Sequence, residues 1–487
     1  MTFKKNKIKK SSPVYLNIVG IISLILIFLL GFFLLKNISF FNFNEIITPQ
    51  NIDNSGEKKN EVQIKNQKVK DYIKNKNSSK KINILIVGRG GGDHDAPNLT
   101  DTIILASIDT KKHIINILSI PRDLYVQYPS KQKIYTSSGY ILKENKGKIN
   151  GLYATYSLKN NSKKEGMKVL KNKVTQITGE KIDYFINIDF NGFEKIIDTI
   201  GGIQITIPKQ FVDNRYPDGN WGYRTLIFKK GTWLFDGENT LKYVRSRHST
   251  SDFDRSIRQQ QVIKAIKDKL IGSYFFKSPG KIKELYDVFT KYVYTDLKLS
   301  TLIKLSYTLN SNDYKIISSN INDSCFYGSD TCSKGGFLYA PQRSLFGGMS
   351  VLLLNGTDKD DLNNYSKIQK YTNIVFNYPE IYKENYKINI FNSIKVNNLA
   401  GLLSNDIVRY GFNIPQYNSI GNTKKTYTKS VVYYNNIDKN SKTIELLKQF
   451  ITAKFIQTDF PKYSKDNAQI EIIIGEDYLS DKKPFNF

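Results

Sequence analysis

The chain has 487 residues, 40% of them hydrophobic and 13% aromatic, which suffices for folded cores and excludes an intrinsically disordered protein. Lys and Arg number 72 against 44 Asp and Glu, so the formal net charge is +28. Such a charge favours an anionic partner, namely nucleic acid, anionic lipid or a phosphate-bearing polymer. The alternative explanation is a general bias of the composition towards Lys, Asn, Ile and Tyr.

An apolar segment near the N-terminus sets the expected compartment. Residues 14–35 are 22 consecutive residues without a charge, which is long enough to span a bilayer core. Five lysines among the first ten residues place the N-terminus in the cytoplasm and everything after Lys36 outside. A cleaved signal peptide is the alternative, but the run ends in GFFLL and not in small residues. An extracytoplasmic location gives no access to genomic DNA or ATP, so nucleic acid is not expected as the partner.

Residues 36–80 are polar and rich in lysine, and they are predicted to form a flexible tether of roughly 35–40 Å. An α/β domain is predicted over residues 81–270, because strand and helix patterns alternate along it. Its first three strands are apolar on both faces, which predicts a sheet covered on two sides. These strands are Ile82–Val87, Thr102–Ile108 and His113–Ile120, with a turn at 109–112. Helices are expected near 163–178 and 190–200, and further strands at Tyr184–Phe190 and Gly202–Pro208.

Residues 271–386 form an extension to which the sequence assigns no role. The extension contains Cys325 and Cys332, whose spacing does not suit a zinc site. If the domain is exported, these two cysteines are expected to close a small disulfide loop, and two free thiols are the alternative. Residues 387–480 are predicted to form a separate α/β module. Its elements are predicted as a strand at 387–392, a helix at 398–411, a strand at 429–435, a helix at 441–455 and a strand at 468–475.

Arginines are concentrated in the last part of the α/β domain. The segment LKYVRSRH is interpreted as a strand that places Leu241, Tyr243, Arg245 and Arg247 on one face. Guanidinium groups on such a face suit phosphate, whereas an exposed edge strand or internal salt bridges are the alternatives.

The segment after this strand is predicted to be a helix that begins at Asp252 or Asp254. Its apolar stripe is expected to be Val262, Ile266 and Leu270. Arg255 and Gln259 continue the stripe towards the N-terminus of the helix, with Arg258 to one side. Helix N-termini favour anions, so these three side chains are predicted to bind an anionic group; pairing with a buried carboxylate is the alternative.

A glycine-rich loop, residues 88–100, leads from the first strand to Asp101. If the second and third strands form a hairpin, Asp101 lies near Arg122 and Asp123 at one edge of the sheet. Carboxylates beside phosphate groups commonly hold Mg²⁺. The loop lacks the Lys-Ser/Thr of a P-loop, and Asp93 replaces the last glycine of a dinucleotide fingerprint, so both nucleotide sites are excluded.

Six segments occur in the order typical of one family. They are LTDTIILASID (99–109), SIPRDLYV (119–126), KINGLYA (148–154), IDYFINIDFNGFEKIIDTIGGIQITIP (182–208), LFDGENTLKYVRSRH (234–248) and DFDRSIRQQQVIKAI (252–266). With them the chain resembles the LytR-CpsA-Psr family of cell-wall glycopolymer ligases. Residues 387–480, which include IIIGEDY (472–478), resemble the LytR C-terminal domain.

The resemblance implies a layered α/β domain with a central mixed sheet, a hydrophobic channel for an isoprenoid tail, and Mg²⁺ as cofactor. Asp101 matches a magnesium-binding aspartate of the family. The residues that match pyrophosphate-contacting arginines are Arg122, Arg245, Arg247 and Arg255, and Gln259 matches a glutamine of the same cluster. Many members carry a second magnesium-binding aspartate where this chain has Gly90, and an arginine where it has Leu99. Asp95 is therefore predicted as the second metal ligand.

The expected function is transfer of a glycopolymer from polyprenyl pyrophosphate to peptidoglycan, outside a membrane in which the chain is anchored. The predicted reaction residues are Asp101, Arg122, Arg245 and Arg247, with Asp101 or Asp123 as the group that takes the proton of the acceptor hydroxyl. Two alternatives belong to other classes: a phosphatase that acts on lipid pyrophosphates, and a non-enzymatic protein that binds the wall or regulates.

Overall fold

A computed structural model describes most of the chain from residue 81 onwards. The described residues are 81–92, 96–129, 134–135, 141–142, 145–159, 161–217, 222–246, 258, 261–262, 265–266, 269, 279–298, 301, 305, 314–325, 332, 335–358, 360–394, 396–415, 420–438, 440–459, 461–464, 466–480 and 485. The predicted membrane-spanning segment and tether lie outside these residues. Within them, no helix has both the length and the apolar character needed to cross a membrane.

Strands and helices alternate through the described residues. The strands are β1 (Lys81–Arg89), β2 (Thr100–Asp109), β3 (Ile114–Ile120), β4 (Tyr125–Gln127), β5 (Ile134–Tyr135), β6 (Ile141–Leu142), β7 (Lys146–Lys148), β8 (Tyr184–Asp189), β9 (Ile203–Ile207), β10 (Phe211–Pro217), β11 (Tyr223–Phe228), β12 (Gly231–Phe235), β13 (Val293–Thr295), β14 (Lys315–Asn320), β15 (Leu338–Tyr339), β16 (Leu353–Leu354), β17 (Ile388–Asn392), β18 (Ile420–Asn422), β19 (Val431–Tyr434), β20 (Lys454–Gln457) and β21 (Ile470–Ile474). The α-helices are α1 (Gly151–Lys159), α2 (Lys163–Thr178), α3 (Phe190–Thr199), α4 (Gly237–Arg245), α5 (Pro279–Tyr292), α6 (Ser366–Asn377), α7 (Ile381–Glu384), α8 (Leu399–Arg409) and α9 (Lys442–Phe450).

The chain divides into two compact units. The first comprises the described residues up to Ser119 and those of Ile182–Ser318. The second comprises Ile120–Lys181 and Ser319–Phe487. Each unit is described by itself below.

A six-stranded sheet with the order β13-β8-β1-β2-β3-β14 forms the centre of the first unit. β1 pairs antiparallel with β2 and parallel with β8, so the predicted mixed α/β sheet is confirmed. All four residues of Ile84–Val87 are fully buried, as expected for a strand whose two faces are both covered. The predicted turn after β2 is confirmed, because Oδ1 of Asp109 accepts hydrogen bonds from the N–H groups of Lys111 and Lys112.

Residues beyond 270 also belong to this sheet. β13 pairs with β8 at one edge, and β14 lies beside β3 at the other. Leu285 and Phe289 of α5 are buried in the same hydrophobic core as Phe193 and Ile196 of α3. Part of the extension to which the sequence assigned no role therefore completes the sheet and core of the first unit.

The prediction of a strand at Leu241–His248 is wrong, because Gly237–Arg245 form helix α4. The helix begins at Asp236, whose side chain accepts a hydrogen bond from the N–H of Asn239. Thr240, Leu241 and Val244 are buried, which is the spacing of a helical face. The alternation that suggested a strand extended over four side chains, of which only Leu241 and Tyr243 are apolar, and it was weaker than the N-cap signal before it. Arg247 and His248 lie outside the described residues.

In the second unit, the C-terminal module contains a five-stranded sheet with the order β18-β17-β21-β19-β20. β17, β19, β21 and helix α8 confirm predicted elements, whereas β18 was not predicted. The prediction of a single helix at 441–455 is wrong, because α9 ends at Phe450 and β20 pairs parallel to β19. Ile451 has extended backbone angles, so residues 451–455, which were predicted to continue the helix, leave it and lead into β20.

Cys325 and Cys332 are joined by a disulfide in the second unit, which confirms the predicted small loop. Both cysteines are buried in a cluster with the side chains Tyr339, Phe346, Val351, Leu353 and Leu362. The disulfide therefore also contributes to a small hydrophobic core.

The N-terminus of α9 is stabilised by Glu384, whose carboxylate accepts hydrogen bonds from Ser441, Lys442 and Thr443. Burial alone would raise the pKa of Glu384, but the hydrogen bonds from these residues outweigh it and the pKa lies below its ordinary value. A lowered carboxyl pKa stabilises the fold above the pKa of the unfolded chain, and this stabilisation is lost as the pH falls through the folded pKa. We therefore expect Glu384→Gln to destabilise the protein more at pH 7 than at a pH below the folded pKa of Glu384. Urea unfolding at the two pH values measures the difference, and an equal effect at both would contradict the prediction.

Candidate functional site

Asp101 lies at an irregularity of the sheet in the first unit. Gly88 pairs with Thr102 and the next residue, Arg89, pairs with Thr100, so Asp101 is the extra residue of a β-bulge. A bulge changes the direction of a side chain relative to the regular alternation of the strand, and bulges are frequent beside functional sites. Asp101 is partly exposed, between the buried Thr100 and the fully buried Ile103 and Ile104. Asp101 is thus half-buried and lies where the otherwise regular pairing of β1 with β2 is interrupted, near the end of β1 and the start of β2.

The glycine-rich loop is anchored by an ion pair. Nη2 of Arg89 lies 2.9 Å from Oδ2 of Asp189, and both side chains are largely buried. Oδ1 of Asp189 accepts the N–H of Gly192 at 2.8 Å and so caps α3. Arg89 also donates to Asn187 and to the carbonyl of Pro97 within the loop. One aspartate therefore holds both the end of β1 and the start of α3.

Gly91 packs so closely against this ion pair that a side chain has no room. Its φ is +67°, and a Cβ there would lie 2.3 Å from Cβ of Asp189. We expect Gly91→Ala to lower the free energy of unfolding by about 3 kcal/mol, from left-handed strain and overpacking together. Gly347→Ala is the matched control, because Gly347 has a φ of +60° and nothing within 4 Å. Gly347→Ala should lower the free energy of unfolding by only about 1 kcal/mol, from backbone strain. If urea unfolding shows the same loss of stability for both variants, the contact with Asp189 does not contribute.

Arg245, at the C-terminal end of α4, lies among aromatic rings. The carbon of its guanidinium is 4.5 Å from the centre of the Phe190 ring and 5.5 Å from that of Tyr216. Arg224 approaches the same Tyr216 ring at 5.4 Å. None of the ion pairs formed within the described part of the chain involves Arg245 or Arg224. Two guanidinium groups thus flank one tyrosine, and the Glu194 carboxyl interacts electrostatically with Arg245 without forming an ion pair with it.

The charges of this cluster act on two neighbouring ionisable groups. Burial raises the pKa of Tyr216, and Arg245 and Arg224 partly oppose this by favouring the phenolate. Burial also raises the pKa of Glu194, and the negative charges of Glu238 and Asp198 raise it further. The positive charges of Lys195 and Arg245 lower this pKa and partly oppose the rise. Tyr216 is therefore a neutral hydroxyl beside two cations, and it is able to donate a hydrogen bond to an anion that binds there.

Arg258 is buried at the end of α4. It donates from Nε to the carbonyl of Tyr243 at 3.0 Å and from Nη2 to the carbonyl of Ser246. Its guanidinium also lies 4.6 Å from the centre of the Phe211 ring. These carbonyls are among the last of the helix, which lack partners within it. Arg258 therefore fixes the backbone on both sides of Arg245, and its predicted contact with pyrophosphate stays a prediction.

Loss of this side chain should destabilise the first unit. We expect Arg258→Ala to lower the free energy of unfolding by about 3 kcal/mol, because two buried carbonyls lose charged donors. Arg215→Ala, at an exposed position of β10, should change it by less than about 0.5 kcal/mol. Urea unfolding of both variants gives the comparison, and a stable Arg258→Ala variant would mean that water replaces the guanidinium without cost.

Arg122 and Asp123 belong to the second unit. Oδ1 of Asp123 lies 2.7 Å from Nζ of Lys148, and Oδ2 lies 3.7 Å from Nε of Arg122. The carbonyl of Arg122 accepts a hydrogen bond from the N–H of Asn150, just before α1. The two motifs SIPRDLYV and KINGLYA are therefore brought together, with Arg122 one-third exposed at their junction.

Four predicted site residues, Asp95, Arg247, Arg255 and Gln259, lie outside the described residues. Among the residues that are described, no group of three or more His, Cys, Asp or Glu forms a metal site. This arrangement still fits Mg²⁺, which is commonly held by one or two carboxylates together with substrate phosphates and water. In the described part of the chain the candidate ligand is the Asp101 carboxylate.

The sequence did not indicate Phe190 and Tyr216, whose rings contact Arg245, or Arg224, which contacts the same Tyr216 ring. Phe190 follows the capping Asp189, but nothing in the sequence relates it to α4, 47 residues later. Tyr216 and Arg224 are paired across β10 and β11, and this cross-strand register depends on an irregularity between Asp213 and Tyr216. Taken together, the first unit presents cations, a neutral tyrosine hydroxyl and aromatic rings, an arrangement suited to an organic phosphate.

Two family models match the chain. One, described as the LytR_cpsA_psr family, matches residues 46–345. The other, described as LytR cell envelope-related transcriptional attenuator, matches residues 385–478. The first match continues beyond residue 270, in agreement with the strands that the extension contributes to the sheet.

Several characterised proteins are similar in sequence. The chain is 31% identical over 187 residues to the polyisoprenyl-teichoic acid–peptidoglycan teichoic acid transferase TagV of Bacillus subtilis, covering 38% of this chain and 42% of that protein. It is 26% identical over 224 residues to the cell wall biosynthesis protein LcpA of Corynebacterium glutamicum, covering 42% and 39%. It is 28% identical over 247 residues to the regulatory protein MsrR of Staphylococcus aureus, covering 50% and 65%. The chain thus spans about two-fifths of the first two relatives and less than two-thirds of the third.

Two solved structures illustrate the similarity in three dimensions. The crystal structure of B. subtilis TagV is 23% identical, and the match covers 61% of this chain and 97% of that chain with a TM-score of 0.41. TagT bound to LIIa-WTA is 21% identical, with coverage of 61% and 90% and a TM-score of 0.38.

Proposed function

Because the chain belongs to the LytR_cpsA_psr family, we propose that it transfers a glycopolymer from a polyprenyl pyrophosphate carrier to peptidoglycan outside the cell membrane. The observation that carries the proposal is the cluster of Arg245, Arg224 and Tyr216, in which two guanidinium groups that form no ion pair with the described residues flank a neutral hydroxyl. The similarity to a teichoic acid transferase supports the same reaction class. The membrane anchor at residues 14–35 belongs to this proposal.

In the proposed reaction, a hydroxyl of the acceptor attacks the glycan-side phosphorus of the pyrophosphate. A new P–O bond forms, the bond to the bridging oxygen breaks, and lipid phosphate leaves. Arg245 presents its guanidinium fork to the phosphoryl oxygens, and the rings of Phe190 and Tyr216 fix its orientation. Arg258 holds the end of α4 and thereby positions Arg245.

The other predicted residues are proposed to bind the metal, contact the pyrophosphate and accept the proton. Asp101 would hold Mg²⁺, which when bound would supply positive charge to the phosphoryl oxygens. Arg122 would add a further guanidinium, and Arg247, Arg255 and Gln259 are proposed to contact the pyrophosphate as well. The acceptor hydroxyl loses its proton to Asp101 or Asp123, and Lys148 already occupies Oδ1 of Asp123. The second proposed metal ligand is Asp95.

A direct assay tests the proposal. The full-length protein is reconstituted in phospholipid vesicles with a synthetic polyprenyl-pyrophosphate oligosaccharide, peptidoglycan fragments and Mg²⁺. A covalent adduct of sugar phosphate and peptidoglycan, formed together with polyprenyl phosphate, is the expected product. Release of sugar phosphate without the adduct would instead identify a phosphatase.

The similarity to MsrR, whose name calls it regulatory, favours one alternative function. A regulatory or wall-binding protein would bind the lipid-linked donor or peptidoglycan without turnover. Absence of both products, with donor binding retained, would replace the transferase proposal by this one.

A further inference from the structure

One short segment of the first unit is unusually apolar on its surface. In the described part of the chain, twelve large hydrophobic side chains are exposed, and four of them lie within residues 223–235. They are Tyr223 (67% exposed), Ile227 (58%), Trp233 (44%) and Leu234 (66%). Single exposed apolar residues are normal on a protein surface. Four within thirteen residues are a local concentration, which makes this segment a candidate interaction surface. We call residues 223–235 the β11–β12 segment.

The exposed side chains belong to an ordered part of the fold. Phe228 and Phe235 of the same segment point inwards and pack edge-on against Tyr243 of α4. At the turn between the strands, Nε1 of Trp233 donates to the carbonyl of Lys229 at 3.0 Å. The Trp233 indole therefore lies beside the turn at Lys229–Gly231. The segment is attached to the core by Phe228, Phe235 and the partly buried Leu226. Its exposed apolar side chains are Tyr223, Ile227, Trp233 and Leu234.

The charge of the segment has a single sign. Arg224, Lys229 and Lys230 are exposed, and residues 222–235 contain no Asp or Glu. Tryptophan beside a turn with two lysines is the combination that places an indole at the level of lipid headgroups while ammonium groups contact phosphates. Basic residues next to an apolar surface also bind anionic lipids electrostatically.

We propose that the β11–β12 segment docks on the anionic lipid surface of the membrane. Charge complementarity selects this occupant over a second copy of the chain, because self-association would bring two such basic clusters together. α4 begins directly after the segment, at Gly237, and ends at Arg245. Nine helical residues extend about 14 Å, so docking holds Arg245 close to the bilayer. The docking itself does not depend on the proposed transfer reaction.

The tryptophan content of the chain allows a direct test. Trp221 and Trp233 are the two tryptophans, so Trp221→Phe leaves Trp233 as the single reporter. This full-length variant is reconstituted in vesicles of phosphatidylcholine and phosphatidylglycerol, with and without brominated acyl chains. We expect brominated lipid to reduce Trp233 fluorescence at least twofold and to shield it from aqueous iodide.

Charge variants identify the cause of docking. Lys229→Glu with Lys230→Glu should abolish the quenching by brominated lipid, as should vesicles without phosphatidylglycerol. Lys424→Glu with Lys425→Glu is the matched control, because this second pair of exposed adjacent lysines lies in the other unit. Circular dichroism checks that each variant remains folded.

Two results would overturn the proposal. Trp233 quenched by iodide and unaffected by brominated lipid would mean that the segment faces water. Trp233 shielded from both quenchers would mean that protein covers it. A protein that docks in this assay and transfers no glycopolymer would leave the docking proposal intact and refute only the proposed function.

Discussion

Arg245→Ala should reduce glycopolymer transfer by about 100- to 1000-fold while the protein remains folded. The guanidinium is partly exposed and forms no ion pair with the described residues, so the fold should survive its removal, while the pKa of Glu194 should rise further. Its proposed role is to stabilise charge on the phosphoryl oxygens in the transition state. The measurement is the initial rate of adduct formation in reconstituted vesicles at saturating donor, compared with the wild-type rate.

Two further variants make this result specific. Arg245→Lys keeps a positive charge but loses the planar fork, so it should recover only part of the activity. Arg215→Ala removes an exposed arginine of β10 in the same unit and should transfer at the wild-type rate. Wild-type activity of Arg245→Ala, or equal loss in both alanine variants, would show that Arg245 does not act on the phosphate.

Asp101→Asn should lower transfer by at least about 100-fold, because the Mg²⁺ that we propose Asp101 to hold would contribute several kcal/mol of charge stabilisation. The substitution preserves the size of the side chain at the bulge, so the pairing of β1 with β2 should survive. The neutral amide is a weaker magnesium ligand than a carboxylate. We therefore expect the magnesium concentration for half-maximal activity to rise as well.

A magnesium titration separates this role from a purely structural one. Asp361→Asn, at an exposed position of the second unit, should leave both the rate and the magnesium midpoint unchanged. A slow Asp101→Asn enzyme with an unchanged magnesium midpoint would assign Asp101 to proton transfer and not to metal binding. Full activity of the variant would remove Asp101 from the site.

The strands of the first unit were predictable because they are simple in physical terms. β1 and β2 each contain an uninterrupted apolar run bounded by polar or glycine residues, and such a run has to be buried on both faces. The capping Asp189, the apolar spacing of α3 and the turn at Asp109 are likewise local signals. The family motifs depend on the same local order of residues, which is why the sequence led to Asp101, Arg122 and Arg245.

The two wrong elements show where local patterns fail. At residues 241–248, an alternation of four residues was compatible with a strand, but the cap at Asp236 and the burial of Leu241 and Val244 favoured a helix. At residues 451–455, the spacing of Ile451 and Phe455 continued the helical pattern, yet pairing with β19 stabilised a strand from Lys454 onwards. In both places two structures satisfied the local sequence, and tertiary packing selected between them.

The sequence by itself determined the α/β class, the order of most elements and the residue types that bind phosphate, because these follow from periodicity and side-chain chemistry. Only the tertiary structure decided that Tyr216 and Phe190 flank Arg245, that Arg258 holds the end of α4, and that Asp101 stands at a bulge. It also revealed the exposed apolar side chains of the β11–β12 segment. These features join residues far apart in the chain, or depend on strand register and burial, and no local pattern in the sequence encodes them.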